Sequence, residues 1–293
     1  MVNCKWLMVG LLVGLTLACR ATAVPATPPS PALQPTPTLF VTPSPGHPAT
    51  LSPLPPAISA THTPSPVADT GWQLLQAGLE RRAIQLLDEN GRQTENLTLL
   101  RIDPNLFSFE IGYSPGQPKP LATWQEETGA FIVMNGGFFT PEFLATGLLV
   151  VAGQPSGSSY VGFGGMVTMA GGGVDVRSLV ERPYDPTETF DYALQAFPML
   201  VLNGAAAYQT ADFDTARRTV IGVDGDGRIL LIIAGWGGFT LAELSSYLAS
   251  ADFGLVNALN LDGGTSTGLI LADPPENIPA FVAVPTVILV YPK

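Results

Sequence analysis

Half of the prolines in this chain lie in one segment, and this segment limits where a fold can form. Residues 21–68 contain 14 of the 28 prolines and no Asp, Glu, Lys or Arg. A segment rich in Pro, Thr, Ser and Ala has too few periodic apolar residues to form a core. We therefore expect a stiff, disordered linker over residues 20–70. A single folded domain over residues 71–293 is long enough to bury a complete core.

The first 19 residues, MVNCKWLMVGLLVGLTLAC, have the pattern of an export signal. Lys5 precedes an apolar stretch that is too short to span a bilayer comfortably. The ending LTLAC resembles a bacterial lipoprotein signal, in which Cys19 becomes the lipidated first residue of the mature chain. The alternative is ordinary signal cleavage after the small residues 21–23. We expect an exported protein at the cell surface or envelope, anchored to the membrane by lipid at Cys19.

The predicted domain lacks two residue types on which many enzymes depend. Both histidines, His47 and His62, lie in the linker, and both cysteines lie in the signal segment. A Ser/His/Asp or Cys/His triad and a zinc site with His or Cys ligands are therefore excluded from residues 71–293. The same residues hold 11 Lys and Arg against 23 Asp and Glu, so they gain no long-range attraction to nucleic acid. We expect no metal, no cofactor and no nucleic-acid partner.

Hydrophobic patterns predict an α+β domain with a mixed, largely antiparallel sheet and a few packed helices. NLTLLRIDP and NLFSFEIGY predict neighbouring strands joined by a turn, and FIVMN predicts a buried strand. PLATWQEETGA predicts a helix between Pro120 and Gly129. RTVIGVDGDGRILLIIAG predicts a hairpin, and TLAELSSYLASA predicts a helix with a capping box of Thr240 and Glu243. LVNALN and AFVAVPTVILVYP predict the last two long strands.

Two polar clusters next to predicted strands are candidates for ligand binding. In MNGGFFT, Asn135 and Gly136 follow a strand, where glycines let a ligand approach the backbone; Asn-Gly is also a common turn. Arg217 and Arg218 begin the first strand of the hairpin, and alternation directs one of them inward, where a guanidinium can bind phosphate or carboxylate. The DGDG at 224–227 favours a hairpin turn over a fragment of a calcium loop.

A third cluster is NLDGGTSTGL at residues 260–269, which follows an apolar strand. Asp262 places a carboxylate at the end of this strand, and Gly263 and Gly264 can direct their N–H groups into an anion-binding concavity. Thr265 and Ser266 add hydroxyl groups at the same point. This combination suits a sugar or a phosphate, and a glycine turn between two strands explains the same residues equally well.

The order of the motifs along the chain resembles the phosphodiester glycosidase domain family. The resemblance runs from Leu97 to Val290 through MNGGFF, TGLLVVAG, QAFPMLVLNG, RRTVIGVDGDGRILLIIAG, GFTLAELSSYLAS and NALNLDGGTSTGL. It implies hydrolysis of the bond between the anomeric carbon of a sugar and a phosphodiester oxygen. It implies catalytic roles for Asp262 and Arg218. The residues implied to bind substrate are Asn135, Gly136, Asn203, Gly263, Gly264, Thr265 and Ser266.

Two departures from the family pattern leave two functions open. Many relatives have an Arg before the last strand, where NIPAFVAVPTVILV has none, and a glycine where this chain has Thr265. One reading is a surface-anchored hydrolase that acts on phosphate-linked glycans of the cell wall or extracellular space. The other is a non-catalytic, glycan-binding surface lipoprotein with the same fold. A second carboxylate for catalysis is not identifiable; Glu142, after NGGFF, is one candidate.

Overall fold

Apolar runs and alternating patterns along the chain form strands, and strands dominate the fold. The computed structural model describes residues 68–210 and 213–293; the predicted signal segment and the linker before residue 68 lie outside this part of the chain. The helices are α1 Leu121–Thr128 and α2 Leu241–Ser250, with a 3₁₀ turn at Gly264–Ser266. The strands are β1 Gln73–Gln76, β2 Leu79–Leu87, β3 Gln93–Ile102, β4 Phe107–Tyr113, β5 Ile132–Asn135, β6 Leu149–Val151, β7 Gln154–Ser156, β8 Gly165–Ala170, β9 Gly173–Ser178, β10 Tyr192–Ala196, β11 Met199–Leu202, β12 Ala205–Ala206, β13 Ala216–Asp224, β14 Ile229–Phe239, β15 Leu255–Asn260, β16 Leu269–Leu271, β17 Glu276–Ile278 and β18 Thr286–Pro292.

The strands form three sheets that share one core. The largest has the order β1-β2-β3-β14-β13-β15-β11-β12, and the two five-stranded sheets have the orders β7-β6-β10-β8-β9 and β17-β16-β5-β18-β4. The central core contains buried side chains from all three, such as Leu231 of β14, Ile288 of β18 and Val167 of β8. The strands that lead to the candidate site residues therefore pack around one core.

Both helices begin and end as the sequence predicts. Thr240 Oγ1 accepts a hydrogen bond from the Glu243 N–H at 3.2 Å, and a Glu243 carboxylate oxygen accepts from the Thr240 N–H at 2.9 Å. This capping box begins α2, which packs Leu244 and Leu248 against the outer face of the large sheet. Helix α1 ends at Gly129 in the left-handed conformation, with φ 66°.

The fold class differs from the prediction in two respects. Every strand pairing in residues 68–210 and 213–293 is antiparallel, so the expected mixed sheet is not found. With two helices against this number of strands, the domain is mainly β rather than α+β. The many glycine turns allow successive strands to reverse direction without helical crossovers.

The prediction that β3 and β4 are neighbouring strands was wrong. The turn between them forms, since Leu106 N–H donates to Asp103 O at 3.1 Å. The chain changes sheets at this turn: β3 pairs with β2 and β14, whereas β4 pairs with β18. A local turn signal reports a change of direction, but the partner of a strand depends on distant residues.

Candidate active site

The loop that contains Asp262 follows β15, which pairs with the strand that contains Arg218. Strands β13 and β15 are antiparallel, with Ile221 opposite Leu259 and Val220 opposite Asn260. The pairing continues beyond β15, because the Leu261 N–H donates to Thr219 O at 2.8 Å. The loop stays close to β13 beyond this pair, because a methyl group on Gly263 would lie 3.8 Å from Arg218 Cα. Continuation of the register by one step predicts that Arg218 and Asp262 lie opposite each other, with their side chains on the same face.

The motifs MNGGFF and LDGGTS, which are far apart in sequence, are in direct contact. The Asp262 N–H donates to Gly136 O at 3.1 Å, and Asp262 O accepts from Asn135 Nδ2 at 2.7 Å. Both backbone polar groups of Asp262 are thus held by the end of β5. Three of the residues predicted for the site, Asn135, Gly136 and Asp262, therefore lie together.

The Asn135 side chain is buried beneath the Asp262 loop and is not exposed to solvent. Its exposed fraction is 0%, and its Oδ1 accepts from Thr219 Oγ1 at 2.8 Å and from the Gly268 N–H at 3.0 Å. With Nδ2 bonded to Asp262, the amide connects β5, β13 and both ends of the loop. The contacts assign Asn135 a supporting position, and direct contact with substrate stays a prediction.

The Asp262 carboxyl group is largely shielded from water and accepts hydrogen bonds from its own loop. Burial raises the pKa of Asp262 above its ordinary value, and hydrogen bonds from Ser266 and the Gly263 N–H partly offset this effect. The Gly263 N–H lies 2.9 Å from Asp262 Oδ1. A carboxylate in this environment is less solvated and more basic than a surface carboxylate, which suits proton transfer or stabilisation of a developing cation.

The loop after Asp262 needs both of its glycines. A methyl group on Gly263 would lie 2.8 Å from the Arg217 carbonyl oxygen and 3.8 Å from Arg218 Cδ, so this position packs directly against β13. Gly264 has φ +61°, in the left-handed region that favours glycine. Thr265 is exposed and has no positive φ, so its backbone conformation does not require glycine. Ser266 is buried within the 3₁₀ turn.

The two arginines at the start of β13 have different surroundings. Arg218 is half-buried, and its Nη2 donates to Asp214 O at 2.7 Å. Arg217 donates from Nε to Gly235 O at 2.9 Å and from Nη2 to Pro279 O at 3.1 Å, and its guanidinium lies 4.5 Å from the Phe281 ring centroid. Arg217 therefore brings a cation to the closing segment, which has no arginine of its own.

Asn203 lies at the other end of β15 from Asp262. It occupies the turn between β11 and β12, where its N–H donates to Asn257 Oδ1 at 3.1 Å and its Nδ2 donates to Glu181 at 3.2 Å. Asp262 lies five positions after Asn257, which corresponds to roughly 17 Å of extended chain. The structure does not bring Asn203 together with the other predicted site residues. Glu142 is an exposed residue of the loop after Phe139.

Asn260 is a polar residue of this site that sequence analysis missed. It is 3% exposed, and its Nδ2 donates to Phe197 O at 2.9 Å, while its Oδ1 is buried with no hydrogen-bond partner among the described residues. Asn260 precedes Asp262 by two residues, and alternation along an extended strand directs both side chains to the same face. This spacing is the signal that could have identified it.

A search of residues 68–210 and 213–293 finds no group of three or more His, Cys, Asp or Glu side chains placed to hold a metal ion. In the same part of the chain, neither helix is long and apolar enough to cross a membrane.

Comparison with known proteins assigns this chain to a family. A sequence model of the phosphodiester glycosidase family matches residues 128–291, which is more than half of the chain and includes the Asn135, Arg218 and Asp262 motifs. The chain belongs to the phosphodiester glycosidase family. A search of curated proteins finds no match by sequence.

Solved structures similar to this phosphodiester glycosidase family member share its fold at low sequence identity. The catalytic domain of zebrafish N-acetylglucosamine-1-phosphodiester alpha-N-acetylglucosaminidase, auto-inhibited by its pro-peptide, has a TM-score of 0.60 and 17% identity; the match covers 79% of this chain and 86% of that one. A Synechocystis protein has a TM-score of 0.53 and 17% identity over 74% of this chain and 63% of that one. A Burkholderia pseudomallei protein described as exported has a TM-score of 0.50 and 13% identity over 68% and 74%.

Proposed function

We propose that the chain is a hydrolase that cleaves the bond between the anomeric carbon of a sugar and a phosphodiester oxygen, in glycans of the cell wall or extracellular space. The observation that supports this proposal is the contact between the Asp262 loop and the start of β13: the Leu261 N–H donates to Thr219 O, next to Arg218, and Asp262 is a partly buried acid. In a sugar phosphodiester, the anionic phosphate can bind Arg218, and the anomeric carbon can react next to Asp262. The zebrafish protein with a similar fold is named for this substrate class.

Arg218 acts on the phosphate in this scheme. As the bond to the anomeric carbon lengthens, negative charge collects on the departing phosphate oxygens. The Arg218 guanidinium stabilises this charge in a partly buried site. The phosphate leaves as a stable anion, so little help from a general acid is needed. This agrees with a described domain that contains neither His nor Cys.

Asp262 acts on the sugar and the attacking water. The oxygen of a water molecule forms a bond to the anomeric carbon while the bond to the phosphate oxygen breaks. The water proton passes to the Asp262 carboxylate and then to solvent, which leaves a free sugar and a phosphomonoester. Asn135 holds the Asp262 backbone in place and Ser266 holds its carboxylate. The amide of Asn135 is thus a positioning group.

The test is turnover of a panel of model compounds by the full chain. We expect hydrolysis of N-acetylglucosamine-1-phosphodiesters, and none of a nitrophenyl glycoside without phosphate or a phosphodiester without sugar. Arg218→Ala should lower kcat/KM by about 10²–10³ fold. Arg228→Ala is the matched control, because Arg228 lies at the far turn of the same hairpin and pairs with Asp224 and Asp226.

The alternative function, a non-catalytic glycan-binding lipoprotein, is favoured by the absence of an arginine from the closing segment. Arg217 brings a cation to that segment, which supports the catalytic reading. Glycan binding without turnover of any phosphodiester in the panel would favour the alternative.

We also propose that the protein is exported and anchored to the membrane through a lipid on Cys19. The support is the signal-like sequence of residues 1–19 and the Pro-rich linker that follows it. Replacement of Cys19 by Ser should move the protein from the membrane fraction to the soluble exported fraction. Retention of the Cys19→Ser variant in the membrane fraction would contradict the anchor.

A further inference from the structure

One acceptor atom next to Asp262 is buried and has no partner. Asn260 is 3% exposed, its N–H donates to Pro198 O at 3.0 Å, and its Nδ2 donates to Phe197 O at 2.9 Å. Because Nδ2 faces a carbonyl oxygen, the orientation of the amide is fixed and Oδ1 points the other way. Oδ1 is buried without a hydrogen bond among the described residues. Buried polar atoms are rarely left unbonded, so this atom indicates a ligand or a water.

The chemistry of Oδ1 determines which part of a substrate it can contact. A carbonyl oxygen of an amide only accepts hydrogen bonds. A phosphodiester is an anion without protons near neutral pH, so it also only accepts, and the two groups repel each other. The hydroxyl and N-acetyl N–H groups of a sugar are donors. Asn260 therefore fits the sugar side of a sugar phosphodiester, and Arg218 fits the phosphate side.

An aromatic patch adjoins the same point. It consists of Phe138, Tyr160, Phe163 and Phe197. Phe138 stacks on Phe197 with ring centroids 4.6 Å apart, Tyr160 stacks on Phe163 at 4.8 Å, and Phe163 meets Phe197 edge-on at 5.7 Å. Phe163 and Phe197 are 47% and 39% exposed. These aromatic rings pack on each other and are partly exposed, so they form an apolar surface that a ligand can contact.

The aromatic patch is joined to the candidate active site at two places. Phe197 is the residue whose carbonyl oxygen accepts from Asn260. Phe138 lies two residues after Gly136, whose carbonyl oxygen accepts from the Asp262 N–H. The face of an aromatic ring carries negative electrostatic potential, which attracts the polarised C–H groups of a pyranose ring. A few polar groups beside an aromatic surface are typical of small-molecule sites.

We infer that Asn260 and the aromatic patch form the sugar subsite of the candidate active site, in which Asn260 Oδ1 accepts a hydrogen bond from a hydroxyl or N-acetyl N–H of a pyranose and the patch packs against its ring. This inference rests on the proposed function for the orientation of the substrate. It fixes the orientation of the substrate, with the phosphate at β13 and the sugar at the junction of β10 and β11. Beyond Tyr160, the surface continues into a cavity of about 550 Å³ lined by Leu148, Val161, Leu179 and Tyr184, which gives room for the rest of a glycan.

The test measures binding, so that it is independent of turnover. Nuclear magnetic resonance titrations of the full chain would use N-acetylglucosamine, glucose, galactose and inorganic phosphate as separate probes. We expect Asn260→Leu to weaken binding of at least one sugar about tenfold, as expected for one lost hydrogen bond, and to leave phosphate binding unchanged. Phe163→Ala, at a position that is 47% exposed, should weaken binding of the same sugar several-fold. Arg218→Ala should weaken phosphate alone.

Asn257→Leu is the matched control on the same strand. Both ends of the Asn257 amide are bonded, with Nδ2 donating to Val176 O at 2.8 Å and Oδ1 accepting from Asn203, so this variant should bind both probes normally. A deoxy sugar that lacks the donating group should lose affinity for the native chain and no further affinity for Asn260→Leu.

Three results would overturn the inference. They are no binding of any of these sugars by the native chain, unchanged sugar binding in both Asn260→Leu and Phe163→Ala, or equal loss of sugar and phosphate binding in both variants. Unchanged binding would mean that Oδ1 holds only a water. Sugar binding that follows the expected pattern without hydrolysis would support the subsite and contradict the proposed catalysis, so the two failures are distinguishable.

Discussion

The two ends of β15 carry similar polar residues in different hydrogen-bonding states. At the end that begins with Leu255, the Asn257 amide is bonded on both sides and contacts the Asn203 turn. At the end that leads to Asp262, the Asn260 amide leaves Oδ1 without a partner and the pKa of Asp262 is raised by burial. The type of residue is the same at both ends. In our proposal, the buried Oδ1 of Asn260, which has no hydrogen-bond partner among the described residues, marks the functional end.

The largest difference between the two ends should be catalytic. Asp262→Asn keeps the shape of the side chain but removes the proton acceptor, so we expect kcat to fall by about 10³ fold or more. Asp224→Asn is the matched control, because Asp224 is a buried acid opposite Leu255 at the other end and is bonded to Arg228. Its loss should lower stability and leave kcat of the folded protein unchanged. Equal activity of the two variants would remove the distinction between the ends.

Replacement of the buried amide beneath the Asp262 loop should affect both folding and activity. Asn135→Leu leaves the Gly268 N–H and Asp262 O without their partner, and leaves Thr219 Oγ1 only its bond to Thr267 Oγ1. We expect a loss of about 3–5 kcal/mol in the free energy of unfolding. Chemical denaturation measures it. Asn257→Leu should cost about 2 kcal/mol and keep its kcat. An Asn135→Leu variant that is destabilised but fully active would show that the position of Asp262 does not depend on Asn135.

The pH dependence of catalysis should report Asp262. Because the base must be ionised, kcat/KM should fall about tenfold per pH unit below the pKa of Asp262. Since burial raises this pKa, the acidic limb should lie above the ordinary range of an aspartate. A profile that is flat down to that ordinary range would show that Asp262 does not act as a base.

The raised pKa of Asp262 also affects stability: activity needs the ionised carboxylate, whereas the protonated form favours folding. A carboxyl whose pKa is higher in the folded state favours folding while it is protonated. This contribution is complete below the unfolded-state pKa and is lost as the pH rises through the folded-state pKa. Asp262→Asn should therefore raise the melting temperature at neutral pH and leave it nearly unchanged in acid. Destabilisation at neutral pH would mean that the hydrogen bonds from Ser266 and Gly263 outweigh burial.

The smallest effect should come from Asn203. The turn that contains it lies roughly 17 Å from Asp262 along β15. Asn203→Ala should change neither kcat nor KM by more than about twofold, within the ordinary range for a surface substitution. A large rise in KM in steady-state kinetics would show that the substrate reaches the far end of the strand.

Local signals in the sequence predicted local structure well. The capping box of Thr240 and Glu243 and the terminal Gly129 fixed the ends of the helices, because the residues involved are close in sequence. The DGDG turn predicted the β13–β14 hairpin for the same reason. The pairing of β3 could not be predicted in this way, since Ile102 lies opposite Ile229 across more than a hundred residues.

The candidate site shows the same limit. Asn135 and Asn203 both follow a strand and precede a glycine, so the local pattern is the same. Only the packing shows that Asn135 bonds to Asp262 and Asn203 to Asn257. The family resemblance predicts that Arg218 and Asp262 act together, and the structure brings the Asp262 loop against β13, with Gly263 next to Arg218. The sequence did not indicate the free acceptor on Asn260, since an unused hydrogen bond is a property of the folded state.

The most direct test of the central claim is the bond that is cleaved. Hydrolysis of an N-acetylglucosamine-1-phosphodiester in ¹⁸O-labelled water, followed by mass spectrometry of the phosphomonoester, distinguishes attack at carbon from attack at phosphorus. The phosphate product is the one to measure, because the anomeric oxygen of a free sugar exchanges with water. Our account predicts a phosphomonoester without ¹⁸O. Incorporation of ¹⁸O into the phosphate, or no hydrolysis at all, would contradict it.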